Sequence, residues 1–170
     1  MYPIVLDIET RSRCDLTKAG VYRYAADPST IMLCAAWRTS DGSLHTWDFR
    51  KNQNLEPLLS LLTEAPERGI WAWNAQFERI VLNGLYDLGL EIEQFECMAS
   101  RARSWGLPGK LELAPKLLNL SKEQQKDHRG DTLIRKCSIP NKHTGKFECT
   151  EADLDGMLEY CIKDVLVESD

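Results

Sequence analysis

Residues 4–10 read Ile-Val-Leu-Asp-Ile-Glu-Thr, an apolar run interrupted by two acids. Side chains alternate between the faces of a β-strand, so a strand here directs Asp7 and Glu9 to one face and Leu6 and Ile8 to the other. Two adjacent carboxylates repel each other and resist burial unless a cation offsets their charge. Hard oxygen ligands suit Mg²⁺ or Mn²⁺. The stretch indicates either a divalent-metal site or an edge strand whose outer face is wet.

The composition is that of a globular protein. The chain has 170 residues, of which 43% are hydrophobic and 28% charged, and we expect one domain over 1–170. No apolar run reaches membrane-spanning length, and the N-terminus lacks the basic and apolar zones of a signal peptide. We therefore expect a cytoplasmic protein without membrane contacts. The net charge of −5 argues against wrapping of duplex DNA on a broad basic face.

Six cysteines are scattered along the chain without any C-x-x-C pair. Without a secretory signal, we expect reduced thiols rather than disulfides. Cys137, His143 and Cys149, with His128 upstream, form the one set that resembles zinc ligands. Their spacing fits no compact zinc knuckle, so we favour unrelated loop residues.

Apolar periodicity and turn signals divide the chain into strands and helices. Strands are predicted over 4–10, 30–39, 44–49 and 70–73, and helices over 55–62, 75–88, 97–105, 110–118, 132–136 and 151–169. Residues 11–28 are predicted to form turns, and Asp41-Gly42 to close a hairpin. Three antiparallel strands followed by a strand among helices predict an α/β domain with a mixed central sheet flanked by helices. The ribonuclease H-like arrangement is one such layout.

Two further acids and a tyrosine fall where they could face a cleft. Glu78 lies in the first turn of the helix predicted after Asn74, at the margin of its apolar stripe. Asp164 lies on the last helix, and Tyr160 is one turn earlier on the same flank. Singly, each has a plain interpretation: an acid near a helix N-terminus, a tyrosine at the edge of the core, and a surface acid. Jointly with the acids of the first strand, they suggest one site.

Three segments carry a resemblance to a known family: Leu-Asp-Ile-Glu-Thr (6–10), Trp-Asn-Ala-Gln-Phe-Glu-Arg (73–79) and Tyr-Cys-Ile-Lys-Asp-Val (160–165). They resemble, in order, the three motifs of the DEDD-type 3′–5′ exonucleases. The Tyr-x-x-x-Asp form of the third motif is similar to that of the tyrosine subclass, which includes the proofreading domains of family A DNA polymerases. Residues 15–25 and 106–109 also resemble segments of phage and prophage family A polymerases.

The resemblance implies a ribonuclease H-like fold and hydrolysis of single-stranded DNA from its 3′ end, with release of 5′-mononucleotides and with two Mg²⁺ or Mn²⁺ ions. The implied catalytic groups are four metal-binding acids and a tyrosine that positions water: Asp7, Glu9, Glu78, Asp164 and Tyr160. The residues expected to bind the 3′ end lie beside these acids: Thr10, Asn74 and Phe77. A DNA polymerase would be the partner in proofreading during replication.

The sequence departs from the family pattern in two places. Glu78 stands where the second motif usually has aspartate, so a metal would be held with a backbone shift or through water. The chain stops at Asp170, shortly after the third motif and with no polymerase region, so it resembles an excised or stand-alone exonuclease domain with a shortened last helix.

Two other functions stay open on the sequence: a 3′-trimming nuclease that acts on RNA, and a catalytically degenerate module that only binds nucleic acid. Tyr22 and Tyr24 fit either base stacking or the core. A basic run fits either a solvated face or contacts with phosphates. Its members are Lys122, Lys126, Arg129, Arg135, Lys136, Lys142 and Lys146.

Overall fold

The computed structural model describes residues 3–109, 111, 113 and 130–169. Its sheet consists of β1 (Ile4–Arg11), β2 (Ile31–Arg38), β3 (Leu44–Asp48), β4 (Ile70–Ala72) and β5 (Phe95–Cys97). The strands lie in the order β3-β2-β1-β4-β5. Strands β1 to β3 form an antiparallel meander, whereas β4 and β5 run parallel to β1. The predicted mixed sheet with three antiparallel strands is therefore confirmed.

Helices cover both faces of this sheet, as the sequence predicts. They are α1 (Leu16–Ala19), α2 (Val21–Ala26), α3 (Glu56–Thr63), α4 (Ala75–Tyr86), α5 (Met98–Ser104), α6 (Gly130–Cys137) and α7 (Glu151–Ser169). Short 3-10 turns occupy Phe49–Lys51 and Ile92–Gln94. The arrangement is compatible with a ribonuclease H-like fold.

The alternation of β1 divides the apolar interior into two cores. Ile4, Leu6 and Ile8 face a core that includes side chains of α2, α3 and α4. Val5, on the opposite face, belongs to a second core with α6 and α7. Complete burial of one such aliphatic side chain contributes about 1.5–3 kcal/mol, so both faces of β1 are held firmly. Asp7 and Glu9 share the face of Val5, beneath the last helix.

A β-bulge interrupts the pairing of β1 and β2 beside the second acid. Glu9 is opposite Cys34, but Thr10 is opposite Met32, so Leu33 is an extra residue in β2. Leu33 and Cys34 both contribute to the second core as a result. A bulge bends its strand and increases the local twist, which changes the direction of neighbouring side chains. Here it lies at the carboxyl end of β1.

The prediction that residues 11–28 form only turns is wrong, because α1 and α2 lie there. Asp15 caps α1: its Oδ1 accepts hydrogen bonds from the backbone N–H groups of Thr17 and the next residue. Helix α2 packs so closely on α4 that a Cβ added at Gly84 would lie 2.9 Å from the Cβ of Ala25. Helices of four and six residues are too short to produce a detectable apolar period.

The helix predicted over 97–105 begins one residue later, because Cys97 ends β5. This strand escaped prediction since three residues carry no recognisable alternation. The helix predicted over 110–118 lies outside the described residues, apart from Leu111 and Leu113. The remaining predicted elements agree with the structure to within two residues at each end.

All six cysteines are free thiols. Burial and the neighbouring Cys149 raise the pKa of Cys137 to about 12, which disfavours the thiolate that zinc requires. His128 of the zinc alternative lies outside the described residues. Within the described ranges, none of the helices has the length and apolar character to cross a lipid bilayer.

Arg50 joins the end of β3 to the beginning of α7. Its Nη2 lies 2.6 Å from Asp48 Oδ2 and 2.7 Å from Asp155 Oδ1, and its Nη1 lies 2.9 Å from Glu151 Oε2. The Asp48 side chain is only 3% exposed. Hydrogen bonds from Arg50 lower the pKa of Asp48. The guanidinium group thus neutralises a buried carboxylate and fixes the N-terminal turn of the last helix.

We expect Arg50→Met to lower the free energy of unfolding at pH 7 by about 1–3 kcal/mol, because the buried Asp48 loses its closest cation and keeps only Lys51, whose Nζ lies 4.0 Å from Asp48 Oδ2. Arg50→Lys should lower the free energy of unfolding by less, because it keeps a positive charge at this position. The folded state lowers the pKa of Asp48, so this stabilisation is present above its ordinary value of 3.8 and is lost as the pH falls through the folded value. Urea unfolding of the wild type and the variants at pH 7 and pH 3 measures the loss of stability and its dependence on pH. An equal loss for the exposed control Arg23→Met would contradict the prediction.

Candidate active site

The site begins on β1, the central strand. Asp7 and Glu9 are half-buried on the face covered by α7. Only residues 4 and 5 of β1 pair with β4, so Asp7 and Glu9 extend beyond the end of that neighbour. In open α/β sheets, ligands bind beyond the carboxyl ends of strands where the chain order reverses. The crevice between β1 and β4 is such a place. The chain adds β2 and β3 on one side of β1 and then returns to add β4 and β5 on the other side.

The chain leaving β4 carries Glu78 to the same crevice. Helix α4 begins directly after Asn74, whose carbonyl oxygen accepts a hydrogen bond of 2.7 Å from the N–H of Phe77. Glu78 lies in the first turn, where the helix dipole favours negative charge. It is nevertheless only 4% exposed. Its Oε2 accepts no hydrogen bond from the described residues.

Glu78 lies close enough to Asp7 on β1 for their negative charges to repel each other. Burial raises the pKa of Glu78 well above its ordinary value of 4.5, and the negative charge of Asp7 raises it further. A buried carboxylate whose pKa is shifted by burial and by a specific neighbouring charge is a candidate for a functional site.

The last helix supplies the other two groups. Asp164 and Tyr160 are one turn apart on α7, and they are 4% and 3% exposed. Burial raises the pKa of Tyr160 far above 10, and the charges of Asp164, Glu9 and Asp7 raise it further. A hydrogen bond with Asp164 acts in the same direction. The Tyr160 hydroxyl therefore keeps its proton at any physiological pH and acts as a donor beside three carboxylates.

Cysteine 161 holds α7 against β1. The Cys161 thiol donates a hydrogen bond of 3.3 Å to the carbonyl oxygen of Asp7. Burial raises the pKa of Cys161 well above 9, and contact with Cys34 on β2 raises it further, so the thiol stays protonated. This bond joins residues 154 positions apart and places Tyr160 and Asp164 over the acids of β1.

Gly130, which the sequence reasoning did not single out, packs against the ring of Tyr160. A Cβ added at Gly130 would lie 2.6 Å from Tyr160 Cζ and 2.9 Å from its hydroxyl oxygen. Any side chain there would displace the ring, so α6 forms one wall of the tyrosine pocket. A lone glycine at the start of a helix gives no sequence signal for this contact.

The three residues expected to bind a 3′ end lie in different environments. Asn74 is exposed, and its side chain does not cap α4. Phe77 is half-buried, with its ring centre 6.1 Å from that of Tyr24. Thr10 is buried, and its Oγ1 shares a hydrogen bond of 2.7 Å with the Tyr24 hydroxyl. Tyr24 is thus a core residue, whereas Tyr22 is 66% exposed. Asn74 is the most accessible of the three.

The four motif acids are hard oxygen donors with no histidine among them, a donor set that suits a hard divalent cation. The buried Glu78 Oε2, which no described donor satisfies, also fits a cation. As the side chains stand, no group of three or more His, Cys, Asp or Glu residues within 3–109, 111, 113 and 130–169 has the geometry to hold a metal ion.

The described part of the basic run is exposed at Arg135, Lys142 and Lys146. Lys136 is bound to Asp153, with 2.8 Å between Nζ and Oδ1. The other members of this run, Lys122, Lys126 and Arg129, lie outside the described residues.

No family model matches the chain. The chain is similar to a DNA polymerase of Bacillus phage SP02, with 35% identity over 178 residues. The similarity covers 99% of the chain but only 27% of the polymerase. The chain thus spans about a quarter of the length of this curated relative.

We expect Glu78→Gln to unfold at a higher temperature than the wild type at pH 8 in EDTA. The folded state raises the pKa of Glu78, so the contribution of this group to stability is fully present below its ordinary pKa of 4.5 and is lost as the pH rises through the folded value. Glutamine carries no such charge, so the difference should grow with pH. Thermal unfolding from pH 4 to pH 8 measures it. Glu56→Gln, at an exposed site on α3, is the control; a pH-independent difference for Glu78→Gln would contradict the prediction.

Proposed function

We propose that this chain is a divalent-metal-dependent 3′–5′ exonuclease domain that hydrolyses single-stranded DNA from its 3′ end. The observation that carries the proposal is the electrostatic contact among the five motif side chains. The charge of Asp7 raises the pKa of Glu78. The charges of Asp164, Glu9 and Asp7 raise the pKa of Tyr160. Divalent cations would offset the repulsion among these acids, and acids with pKa values perturbed in this way are candidates for a functional site.

Asp7, Glu9, Glu78 and Asp164 would hold the ions, with Mg²⁺ and Mn²⁺ as the candidates. Two such ions stabilise the attacking and leaving oxygens of an in-line displacement at phosphorus. Because no three acidic side chains now share a metal-binding geometry in the described ranges, binding requires rotation of these side chains. Glutamate at position 78 has one more rotatable bond than aspartate, which gives it the reach for such a rotation.

Tyr160 would direct a water molecule through its protonated hydroxyl. Its pKa excludes a tyrosinate base, so its role is to donate a hydrogen bond and to orient. Gly130 and Asp164 fix the ring and the hydroxyl. Asn74 and Phe77, at the beginning of α4, would contact the terminal nucleotide. Thr10 would act through its backbone, because its hydroxyl is bonded to Tyr24.

DNA as the substrate rests on the similarity to a phage DNA polymerase. A 3′–5′ exonuclease beside a polymerase removes misincorporated nucleotides, so we assign the domain to proofreading with a polymerase as its partner. The residues named above do not discriminate against a 2′-hydroxyl, and matched RNA therefore belongs in the test.

The deciding experiment follows cleavage of a 5′-labelled single-stranded DNA with Mg²⁺ or Mn²⁺. We expect stepwise shortening from the 3′ end, no shortening in EDTA, and a loss of about a thousandfold or more in Asp7→Ala, since metal electrostatics supply several kcal/mol. Glu56→Ala, an exposed acid on α3, should keep the wild-type rate. An unchanged rate in Asp7→Ala would reject the site, and preferential shortening of matched RNA would reassign the substrate.

We expect Gly130→Ala to lower kcat by up to about a hundredfold, because the added methyl group displaces Tyr160. In the Tyr160→Phe background, the same substitution should have much less effect. Gly84→Ala also forces a clash, but against α2, so it should lower stability and leave the kcat of folded protein unchanged. Equal losses of kcat in both backgrounds would show that Gly130 does not act through Tyr160.

A further inference from the structure

An arginine on α5 lies between two tryptophans. The guanidinium carbon of Arg101 is 5.4 Å from the ring centre of Trp71 and 5.3 Å from that of Trp105. Trp71 belongs to β4, and its Nε1 donates to the carbonyl oxygen of Arg68. Trp105 follows α5 and is 71% exposed, more than any other large apolar side chain among the described residues. We call Arg68, Trp71, Arg101 and Trp105 the tryptophan–arginine surface.

This surface borders a cavity of about 490 Å³. The cavity is lined by Arg68, Trp71, Glu96, Ser100, Arg101 and Ser104. Arg68 Nε lies 3.5 Å from Glu96 Oε2, so one arginine charge is offset and that of Arg101 is not. The lining is therefore locally positive in a chain with a net charge of −5. Its serine hydroxyls add small polar groups beside the arginines.

The surface lies on the same face of the sheet as the candidate active site. Trp71 pairs with Val5 and faces the second core, so it shares a face of the sheet with Asp7. Ordinary strand spacing places the Cα atoms of Trp71 and Asp7 about 8 Å apart. Helix α5 begins near Glu78. Cys97, the residue before this helix, raises the pKa of Glu78, and the N–H of Ala99 donates a hydrogen bond to the carbonyl oxygen of Trp73, which follows β4. The helix then leads away from the acids to Trp105.

The chemistry of the surface fits a single-stranded nucleic acid. Such strands are bound by aromatic rings that stack on bases and by cations that track phosphates. A guanidinium group stacked on indole keeps its N–H donors at the edge, where they are available to a phosphate. Arg101 has no side-chain hydrogen bond or ion pair with another described residue. An exposed indole beside it provides a face for one base.

We propose that the tryptophan–arginine surface binds the single strand on the 5′ side of the nucleotide to be removed. One base stacks on Trp105, and a phosphate beside it contacts Arg101. The inference rests on the proposed function, because it assigns the surface to the substrate of that site. It adds a binding site about one nucleotide or more from the acids, used by long strands and not by short ones.

The test measures binding of 5′-fluorescein-labelled oligothymidylates by anisotropy in EDTA, where metal-dependent cleavage does not occur. Trp105→Ala should weaken binding of a 12-mer about tenfold, in line with the loss of one stacked base, and leave a 3-mer unaffected. Trp105→Phe should restore most of the affinity. Arg101→Ala should reduce the slope of log affinity against log salt by about 0.7, the value for one phosphate contact on a single strand. Arg23→Ala on α2 is the matched arginine control.

Unchanged 12-mer affinity in both Trp105→Ala and Arg101→Ala would overturn the inference, whether or not the wild type cleaves DNA; the surface would then belong to a protein contact. An equal loss for the 3-mer and the 12-mer would also overturn it, since the effect would lie at the acids. If the wild type cleaves nothing with Mn²⁺ but Trp105→Ala still loses 12-mer affinity, the nuclease proposal fails and the binding surface stands.

Discussion

The packing of α7 across β1 is the constraint on which the rest of the site depends. One weak hydrogen bond, from the Cys161 thiol to the carbonyl oxygen of Asp7, joins them directly. Around it, the second core joins both elements to β2 and α6. Because a helix repeats every 3.6 residues, fixing Cys161 on the strand also fixes Tyr160 and Asp164 on its flank. The bulge at Leu33 gives β2 the two adjacent core residues that this helix requires.

The burial of Glu78 and Asp164 near the half-buried acids of β1 costs stability, and neighbouring contacts offset that cost. Glu78 carries such a penalty, since burial and the charge of Asp7 both oppose its ionisation. The salt bridges of Arg50 hold the N-terminal turn of α7, so the helix does not move away to relieve the repulsion. The scaffold thus holds these acids near one another in spite of their repulsion. Stability and site chemistry oppose each other here, as is common at active sites.

Local patterns predicted most of the fold, because alternation in β1 and the apolar stripes of α4 and α7 are strong signals. They failed where an element is short: α1 depends on the Asp15 cap, and β5 on pairing with β4. The motif residues of the candidate site were visible in the sequence, and metal binding by them stays a prediction. Gly130 was not visible, since its importance comes from contact with Tyr160 across helices. The Trp71–Arg101 contact is likewise tertiary.

The thiol contact between α7 and β1 also has a consequence for biosynthesis. It joins positions 154 residues apart, so the ribosome must release nearly all of the described chain before the second core closes. Until then, one face of β1 lacks the helix that will cover it, and Val5 is exposed there beside the acids Asp7 and Glu9. The meander and α4 form the first core from contacts made earlier in translation. A nascent chain that pauses before residue 151 would therefore present a half-covered sheet, the type of surface that chaperones recognise.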